Sequence, residues 1–363
     1  MKDSDNPYFI EGKKTKKDQG PKKKMFGYRV LGFGGGSLPD EYIAATGGTV
    51  STVDTNFKVH VFNSPGTFCL SAGRGDLAKV DYLVVAGGGG GSMPLGGGGG
   101  GGGYRESHNA TVSGTYTASP LATCVSLPIE SPVPVTVGAG GPAGTLNPTT
   151  GNYVPTTASG SSIFSTITSA GGGGNPSEGG SGNGGSRNGP SAGPSGNVPP
   201  VSPPQGNPGG GNAGGNSNDN AGGGGGGAGA SGQQVPSTQP FTSMSGGDGG
   251  AGSPSNISGS NVTRAGGGGG GTRSSGGVQP NNNQAPGGSG GGGAGGYTTG
   301  PGGGPKVVIA TSGTTNTGGG GGSPVYVGDN PPGPFQNNPA TDRENPSGAG
   351  GSGVVIIRYR FQA

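Results

Sequence analysis

Residues 81–91 read Asp81-Tyr82-Leu83-Val84-Val85-Ala86-Gly87-Gly88-Gly89-Gly90-Gly91, an apolar, β-like stretch that passes directly into glycine. The same junction recurs where residues 134–137 lead into 138–141, and where residues 162–168 precede 171–174. Glycine makes up 96 of the 363 residues and contributes no side chain to a core. The fold therefore depends on what orders the glycine runs that the strands feed.

The glycine runs predict a bundle of extended helices. A helix with three residues per turn directs its backbone N–H and C=O groups outward, where a neighbouring helix can bond them. Ordering one residue costs about 1–2 kcal/mol, and one net hydrogen bond contributes only about 0.5–1.5 kcal/mol. Many closely packed runs are therefore required. Pure runs such as 96–103 and 266–271 permit that packing because no Cβ separates the backbones.

Strand-like stretches gather towards both ends of the chain. The alternation of Phe57, Val59 and Val61 predicts a strand, and the turn Asn63-Ser64-Pro65-Gly66 predicts that this strand returns as a hairpin. The apolar run 354–357 predicts a buried, central strand. We therefore expect an all-β fold in which a small, sandwich-like β-rich base carries a protruding bundle of extended polyglycine II helices, with no α-helix.

Composition divides the chain into four parts. They are a basic N-terminal arm with an anchoring strand (1–46), a β-hairpin with base strands (47–86), a glycine-rich bundle with polar loops and embedded strands near 133–137 and 161–168 (87–305), and C-terminal strands that close the base (306–363). Polar segments within the bundle region are predicted to be exposed loops. These segments are 175–188, 199–220, 233–244 and 281–284.

The N-terminal arm is basic although the chain carries a formal net charge of only +3. Its lysines are interspersed with acidic residues, which favours an acidic protein partner over nucleic acid. The alternation of Phe26, Tyr28 and Val30 predicts a short strand, with a loosely packed extension as the alternative. The candidate anchoring residues are Lys13, Lys14, Lys22, Lys23, Lys24, Phe26, Tyr28 and Phe33.

The sequence gives little support to catalysis or to metal binding. Its only histidines are His60, predicted to be a solvated strand residue, and His108, which stands in a small polar island without an identified catalytic partner. No compact group of metal ligands is present. We therefore predict neither enzyme activity nor a cofactor nor a metal. Cys69 and Cys124 are interpreted as buried free thiols, with a disulfide between them as the alternative.

The chain also lacks the patterns of a membrane or secreted protein. No apolar run approaches the roughly 20 residues that span a bilayer. The first residues are charged and lack the apolar stretch of a secretory signal. We expect no membrane insertion.

The order of the strand and glycine signatures resembles the glycine-rich domain of bacteriophage virion proteins, often tail fibres and adhesins, and of some bacterial surface proteins. The resemblance covers residues 47–361. The segments that carry it are Gly47-Gly48-Thr49-Val50, Phe57-Lys58-Val59-His60-Val61-Phe62 with Gly66-Thr67-Phe68, Val80-Asp81-Tyr82-Leu83-Val84-Val85-Ala86, Val135-Thr136-Val137-Gly138-Ala139-Gly140-Gly141 and Gly350-Gly351-Ser352-Gly353-Val354-Val355-Ile356-Ile357-Arg358-Tyr359.

The resemblance implies a structural protein on the outer surface of the virion, in the tail or on the capsid. As a tail fibre or adhesin, this protein would be a homo-oligomer. Residues 1–46, which lie outside the resemblance, are predicted to attach it to other virion proteins. Its loops would recognise a host surface glycan or an outer-membrane protein. The aromatic residues best placed to contact a receptor are Tyr104, Phe241, Tyr297 and Phe335. The alternatives are an architectural capsid-surface fibre, decoration or tail component without a receptor, and a disordered low-complexity protein.

Overall fold

The structure is a computed structural model that describes residues 40–92, 96–129, 132–146, 153–154, 157, 159–174, 177–186, 192–212, 221–235, 245–275, 283–299, 306–328 and 346–363. All of these residues belong to one compact unit, Asp40–Ala363. The candidate anchoring residues precede this unit. They lie outside the described residues, and their predicted role stays a prediction.

Two sheets form the base. The first sheet consists, in spatial order, of β1 (Glu41–Thr46), β4 (Gly66–Arg74), β9 (Val133–Thr136), β12 (Ser162–Phe164) and β13 (Ile167–Ser169). The second sheet consists of β2 (Thr49–Val53), β3 (Phe57–Phe62), β20 (Val354–Arg360), β5 (Lys79–Val85), β6 (Tyr104–Ser107) and β7 (Ala122–Thr123), with β8 (Leu127–Pro128) paired to the start of β5. Neighbouring strands in both sheets are antiparallel except β6 and β7, which are parallel.

The two sheets enclose an aromatic and aliphatic core, which we call the inner cluster. Phe68 and Phe164 of the first sheet face Tyr82 and Tyr359 of the second, and each of these rings is at most 3% exposed. The Phe68 and Phe164 rings meet edge-on with their centroids 6.1 Å apart, which is a favourable aromatic geometry. The predicted sandwich-like base is therefore present.

The second sheet is buried on its other face as well. There Leu83, Val85 and Ile356 pack against Ile257 and Ala265 from the glycine-rich region, in what we call the outer cluster. Burial on both faces explains the unbroken apolar run in β20, because successive residues of a strand point to opposite faces. β20 lies between β3 and β5, which confirms the predicted central strand.

The predicted hairpin is correct in kind but wrong in position. β3 pairs with β2 and with β20, so both of its edges are occupied and β4 joins the first sheet instead. The turn at residues 63–65 therefore crosses between the sheets. The hairpin that forms joins β2 to β3 through Asp54 and Thr55, whose φ angles are 46° and 62°.

The glycine run 96–103 demonstrates the extended-helix packing. Its amides bond to a different neighbour at each successive residue and return to the same neighbour every third residue, with N···O distances of 2.8–3.0 Å. The donor and acceptor pairs are Gly98 to Gly223, Gly101 to Gly226, Gly99 to Gly321, Gly102 to Gly318, Gly100 to Gly173 and Gly103 to Ala170. This threefold repeat is the signature of the three-residue turn.

The carbonyl groups of the same run bond to three further segments. Their donors are Ser92, Gly89 and Ala86 from the preceding run, Gly184 and Ser181 from a second segment, and Gly271 and Gly268 from a third. With three segments accepting from it and three donating to it, run 96–103 has neighbours on six sides. The predicted bundle of polyglycine II helices is thus formed by lateral backbone bonds, which a disordered chain would lack.

Close packing explains the purity of the run. A Cβ built on Gly99 would overlap the carbonyl oxygen of Gly89, and one on Gly98 would overlap that of Gly268. Backbone atoms bonded on several sides cannot move away cheaply. Alanine is therefore excluded at Gly98 and Gly99 by sterics rather than by backbone propensity.

Some polar side chains are nevertheless buried inside the bundle, contrary to the prediction that the polar segments are exposed loops. Asn183 is fully buried, and its Nδ2 donates to Ser92 Oγ at 2.9 Å and to Gly98 O at 3.1 Å. Gly182 donates its N–H to Asn207 O at 3.0 Å. Parts of the predicted loops 175–188 and 199–220 are therefore bundle segments, because a polar side chain that finds partners is tolerated there.

Four small two-stranded sheets complete the described strands. They pair β10 (Thr145–Leu146) with β11 (Tyr153–Val154), β14 (Ser253–Ser255) with β15 (Val262–Arg264), β16 (Arg273–Ser275) with β19 (Tyr326–Gly328), and β17 (Tyr297–Thr299) with β18 (Lys306–Val308). Of the predicted C-terminal strands, only β20 closes the base. The strands near 133–137 and 161–168 belong to the first sheet rather than to the bundle.

The all-β prediction is confirmed, and the helical structure in the described ranges amounts to two short turns. α1 (Ala110–Ser113) is capped by Asn109, whose Oδ1 accepts from Thr111 N at 3.0 Å. A 3-10 turn occupies Gly75–Leu77. Within the described ranges, no helix has the length and apolar character needed to cross a membrane.

Candidate functional site

A buried carboxyl group joins the base to the segment that follows β6. Asp81 of β5 is fully buried. Its Oδ1 accepts from Ser107 Oγ and Ser126 Oγ, each at 2.8 Å, and its Oδ2 accepts from Ser113 Oγ at 2.6 Å and Asn109 N at 2.7 Å. Four donors therefore surround one side chain, so that β5 fixes the position of residues 107–126.

A buried guanidinium extends this network across the sheet. Arg358 of β20 lies opposite Asp81 in the antiparallel register and is fully buried. Its Nε donates to Ser113 O at 2.7 Å, and its Nη2 forms an ion pair with Asp54 Oδ2 at 2.5 Å. The guanidinium also lies over the ring of Tyr116, 4.7 Å from its centroid. Ser113 thus links Asp81 of β5 to Arg358 of β20. The ion pair of Arg358 with Asp54 in turn joins β20 to the turn between β2 and β3.

A second buried acid, Glu106 of β6, lies beside the outer cluster. Its Oε2 accepts from Tyr104 OH at 2.7 Å, and its Oε1 accepts from Ser255 Oγ at 2.6 Å. Burial raises the pKa of Glu106 above its usual value. Tyr104 is only 1% exposed. Its predicted contact with a receptor is wrong, because the ring packs in the outer cluster directly after the buried glycine run.

Both histidines have a ring nitrogen within hydrogen-bond distance of another group of the fold. His60 is fully buried in the inner cluster, with Nδ1 2.7 Å from Gly47 O and Nε2 2.9 Å from Tyr359 OH. The prediction of a solvated His60 is therefore wrong. His108 is half-buried, and its Nε2 lies 3.0 Å from Gly114 O. In the part of the chain that the structure describes, no cluster of three or more His, Cys, Asp or Glu could hold a metal ion.

The alternation of base strands with laterally bonded glycine runs agrees with the comparison to known families. The family model described as a glycine-rich domain matches residues 63–360. The chain belongs to the glycine-rich domain family. The matched region begins at the crossing between β3 and β4 and ends at the last residue of β20, so it takes in most of the base and the whole bundle region. No curated protein matches the sequence of this glycine-rich domain.

The stability of this glycine-rich domain should depend on pH through His60. Burial lowers the pKa of folded His60 below 6.5, so the unfolded chain binds more protons as the pH falls below that value. The contribution of neutral His60 to the free energy of unfolding is therefore complete above pH 6.5. It is lost as the pH falls towards the lowered pKa of the folded state. We expect the urea midpoint of the wild type to fall relative to that of His60→Gln between pH 7 and pH 5.

His60→Gln also serves as the control for the other titratable side chains. Glu106, whose pKa is raised, has the opposite pH dependence, but it acts in both proteins and cancels in their difference. Parallel curves of midpoint against pH would contradict the assignment to His60.

The remaining receptor candidates are only partly described. Tyr297 begins β17 and is half-buried, while Phe241 and Phe335 lie outside the described residues. Cys69 is half-buried and Cys124 is exposed, and both are free. The free-thiol interpretation is therefore confirmed, but the prediction that these thiols are buried is wrong.

The sequence carries a signal for the charged part of this buried network. Asp81 begins the apolar, β-like stretch that leads into the first glycine run, and Arg358 directly follows the apolar run 354–357 that predicts a buried strand. A charged side chain is rarely buried without a partner. Two opposite charges in neighbouring central strands could therefore have been assigned to one network, although the serine donors could not.

Proposed function

We propose that this glycine-rich domain is a bacteriophage virion structural protein, a tail fibre or adhesin that presents polar segments on a polyglycine scaffold for host attachment. The observation that supports a scaffold role most strongly is the bonding of run 96–103 on six sides. A framework ordered through its backbone can hold intervening segments in fixed positions without a large apolar core. The bacteriophage part of the proposal rests on the resemblance in the order of strand and glycine signatures.

In this proposal the protein lies on the outer surface of the particle, in the tail or on the capsid. Residues 1–46 attach it to other virion proteins. Tyr297, Phe241 and Phe335 are the proposed contacts with a host surface glycan or an outer-membrane protein. Aromatic side chains are suited to this role because they offer a large contact area with little loss of conformational entropy.

An architectural role without a receptor is the second candidate function. It is favoured by the burial of Tyr104, which removes one of the four proposed receptor contacts. In this case the protein would be a capsid-surface fibre, a decoration protein or a tail component, and its polar segments would have no specific partner.

Particles assembled with substituted protein distinguish these functions. Tyr297→Ala together with Phe241→Ala should slow adsorption to the host by at least about tenfold if the rings are contact hot spots. Tyr42→Ala in β1 is the control, because Tyr42 is also half-buried but lies in the base. Immunogold labelling measures incorporation of each variant into the particle. Unchanged adsorption by incorporated protein would favour the architectural role, and absence of the wild type from purified particles would overturn both.

A further inference from the structure

Three of the four outer strands of the base are poorly suited to pairing with another chain. β7 has two residues and β13 has three. β1 carries Glu41, and its pairing with β4 is interrupted by register shifts. Short strands, charges and irregular pairing are the features that protect a sheet edge from further strands.

The fourth outer strand, β2, has none of these protections. Its sequence is Thr49-Val50-Ser51-Thr52-Val53, without charge and without proline, and it pairs with β3 in an uninterrupted register from Thr49↔Val61 to Val53↔Phe57. Residues 49–52 are exposed, and Val50 is 46% exposed. No strand among the described residues pairs with the outer edge of β2.

The edge is held in place by its surroundings. Val53 packs against Gly259, where a Cβ would lie 2.9 Å from Val53 Cγ1. Lys58 Nζ donates to Thr52 Oγ1 at 2.7 Å, on the opposite face of the sheet. Because β2 is already extended and fixed, pairing with it would cost little additional order on this side of an interface.

We propose that β2 is an interaction edge whose occupant is β2 of a second copy of this chain, paired antiparallel about a twofold axis at Ser51. In this register Ser51 lies opposite Ser51, Val50 opposite Thr52, and Thr49 opposite Val53. All of these pairs are neutral, and four of the five residues are β-branched, which favours cross-strand packing. The nearest acidic residue, Asp54, lies opposite Gly48 of the second copy, so no like charges meet.

This inference concerns the base alone and does not rest on the proposed virion role. Sedimentation of the full-length chain over a concentration series tests it. The wild type should shift from monomer to dimer as its concentration rises. Ser51→Lys places two lysines opposite each other at the axis, and Ser51→Glu places two glutamates there, so each should weaken dimerisation by at least about tenfold. An equimolar mixture of the two variants should restore the dimer.

The control is Ser71→Lys, which introduces the same charge at an exposed serine of β4. It should dimerise like the wild type. Dimers of equal affinity in wild type and Ser51→Lys would overturn the proposal. So would a wild type that is monomeric at every concentration, and slow exchange in that monomer of the β2 amides that point away from β3 would assign the edge to another segment of the same chain.

Discussion

Gly99→Ala should destabilise the protein by about 3 kcal/mol or more, although it adds one methyl group. The new Cβ would overlap the carbonyl group of Gly89, and it would lie 2.9 Å from the carbonyl carbon of Gly90. These atoms cannot move apart without stretching the lateral bonds, such as Gly89 N to Gly100 O at 2.8 Å. Thermal or urea unfolding monitored by far-UV circular dichroism measures the effect.

Two matched substitutions separate packing from backbone propensity. Gly185 also lies in the bundle, but a Cβ there would have Asn212 N at 3.1 Å as its nearest atom. Gly185→Ala should therefore cost clearly less than Gly99→Ala. Gly66 is exposed at the start of β4, where a Cβ would have a side chain, the Phe62 ring at 3.2 Å, rather than backbone as its nearest neighbour, so Gly66→Ala should also cost clearly less than Gly99→Ala. Equal midpoints for Gly99→Ala and Gly66→Ala would contradict close packing around run 96–103.

Asp81→Ala should destabilise the base by about 4 kcal/mol, because each buried donor without an acceptor costs about 1–3 kcal/mol. The substitution removes the acceptor of Ser107, Ser113, Ser126 and Asn109 N together. Ser113 Oγ can turn to Asn109 O, 3.3 Å away, which limits the loss. The backbone N–H of Asn109 cannot turn in this way. Urea unfolding of the purified variant provides the measurement.

Two further variants identify the cause of that loss. Asp81→Asn retains the shape of the side chain but places an NH₂ group against hydroxyl or amide donors, so it should be destabilising without leaving a cavity. Asp76→Ala removes an exposed carboxyl that pairs with Lys79 and should leave the midpoint unchanged. If Asp81→Asn unfolds like the wild type, the bonds to the carboxyl group do not stabilise the base as described.

The elements that local sequence determines could be predicted. The run 354–357 predicts a central strand because a continuous apolar run needs two buried faces, and the inner and outer clusters supply them. The purity of run 96–103 indicated lateral packing, because each missing Cβ allows a neighbouring backbone to approach. These inferences required only periodicity and sterics.

The pairing of elements distant in the sequence could not be predicted in the same way. The turn after β3 has the composition of a hairpin turn, but β20, almost 300 residues further on, occupies the edge that a hairpin would use. Likewise, Asn183 has the composition of a loop residue, and only the positions of Ser92 and Gly98 allow its burial. Competition between distant segments for one edge or one partner is not visible in any local pattern.

Amide hydrogen exchange at residues 98–103 tests the central claim most directly, because each of these glycines donates to another segment of the bundle. If the run is bonded on all sides, its amides exchange only through global opening, with protection of about 10,000-fold or more for a protein of ordinary stability. Exchange at the rate of an unstructured glycine peptide would contradict the bundle and the scaffold role derived from it.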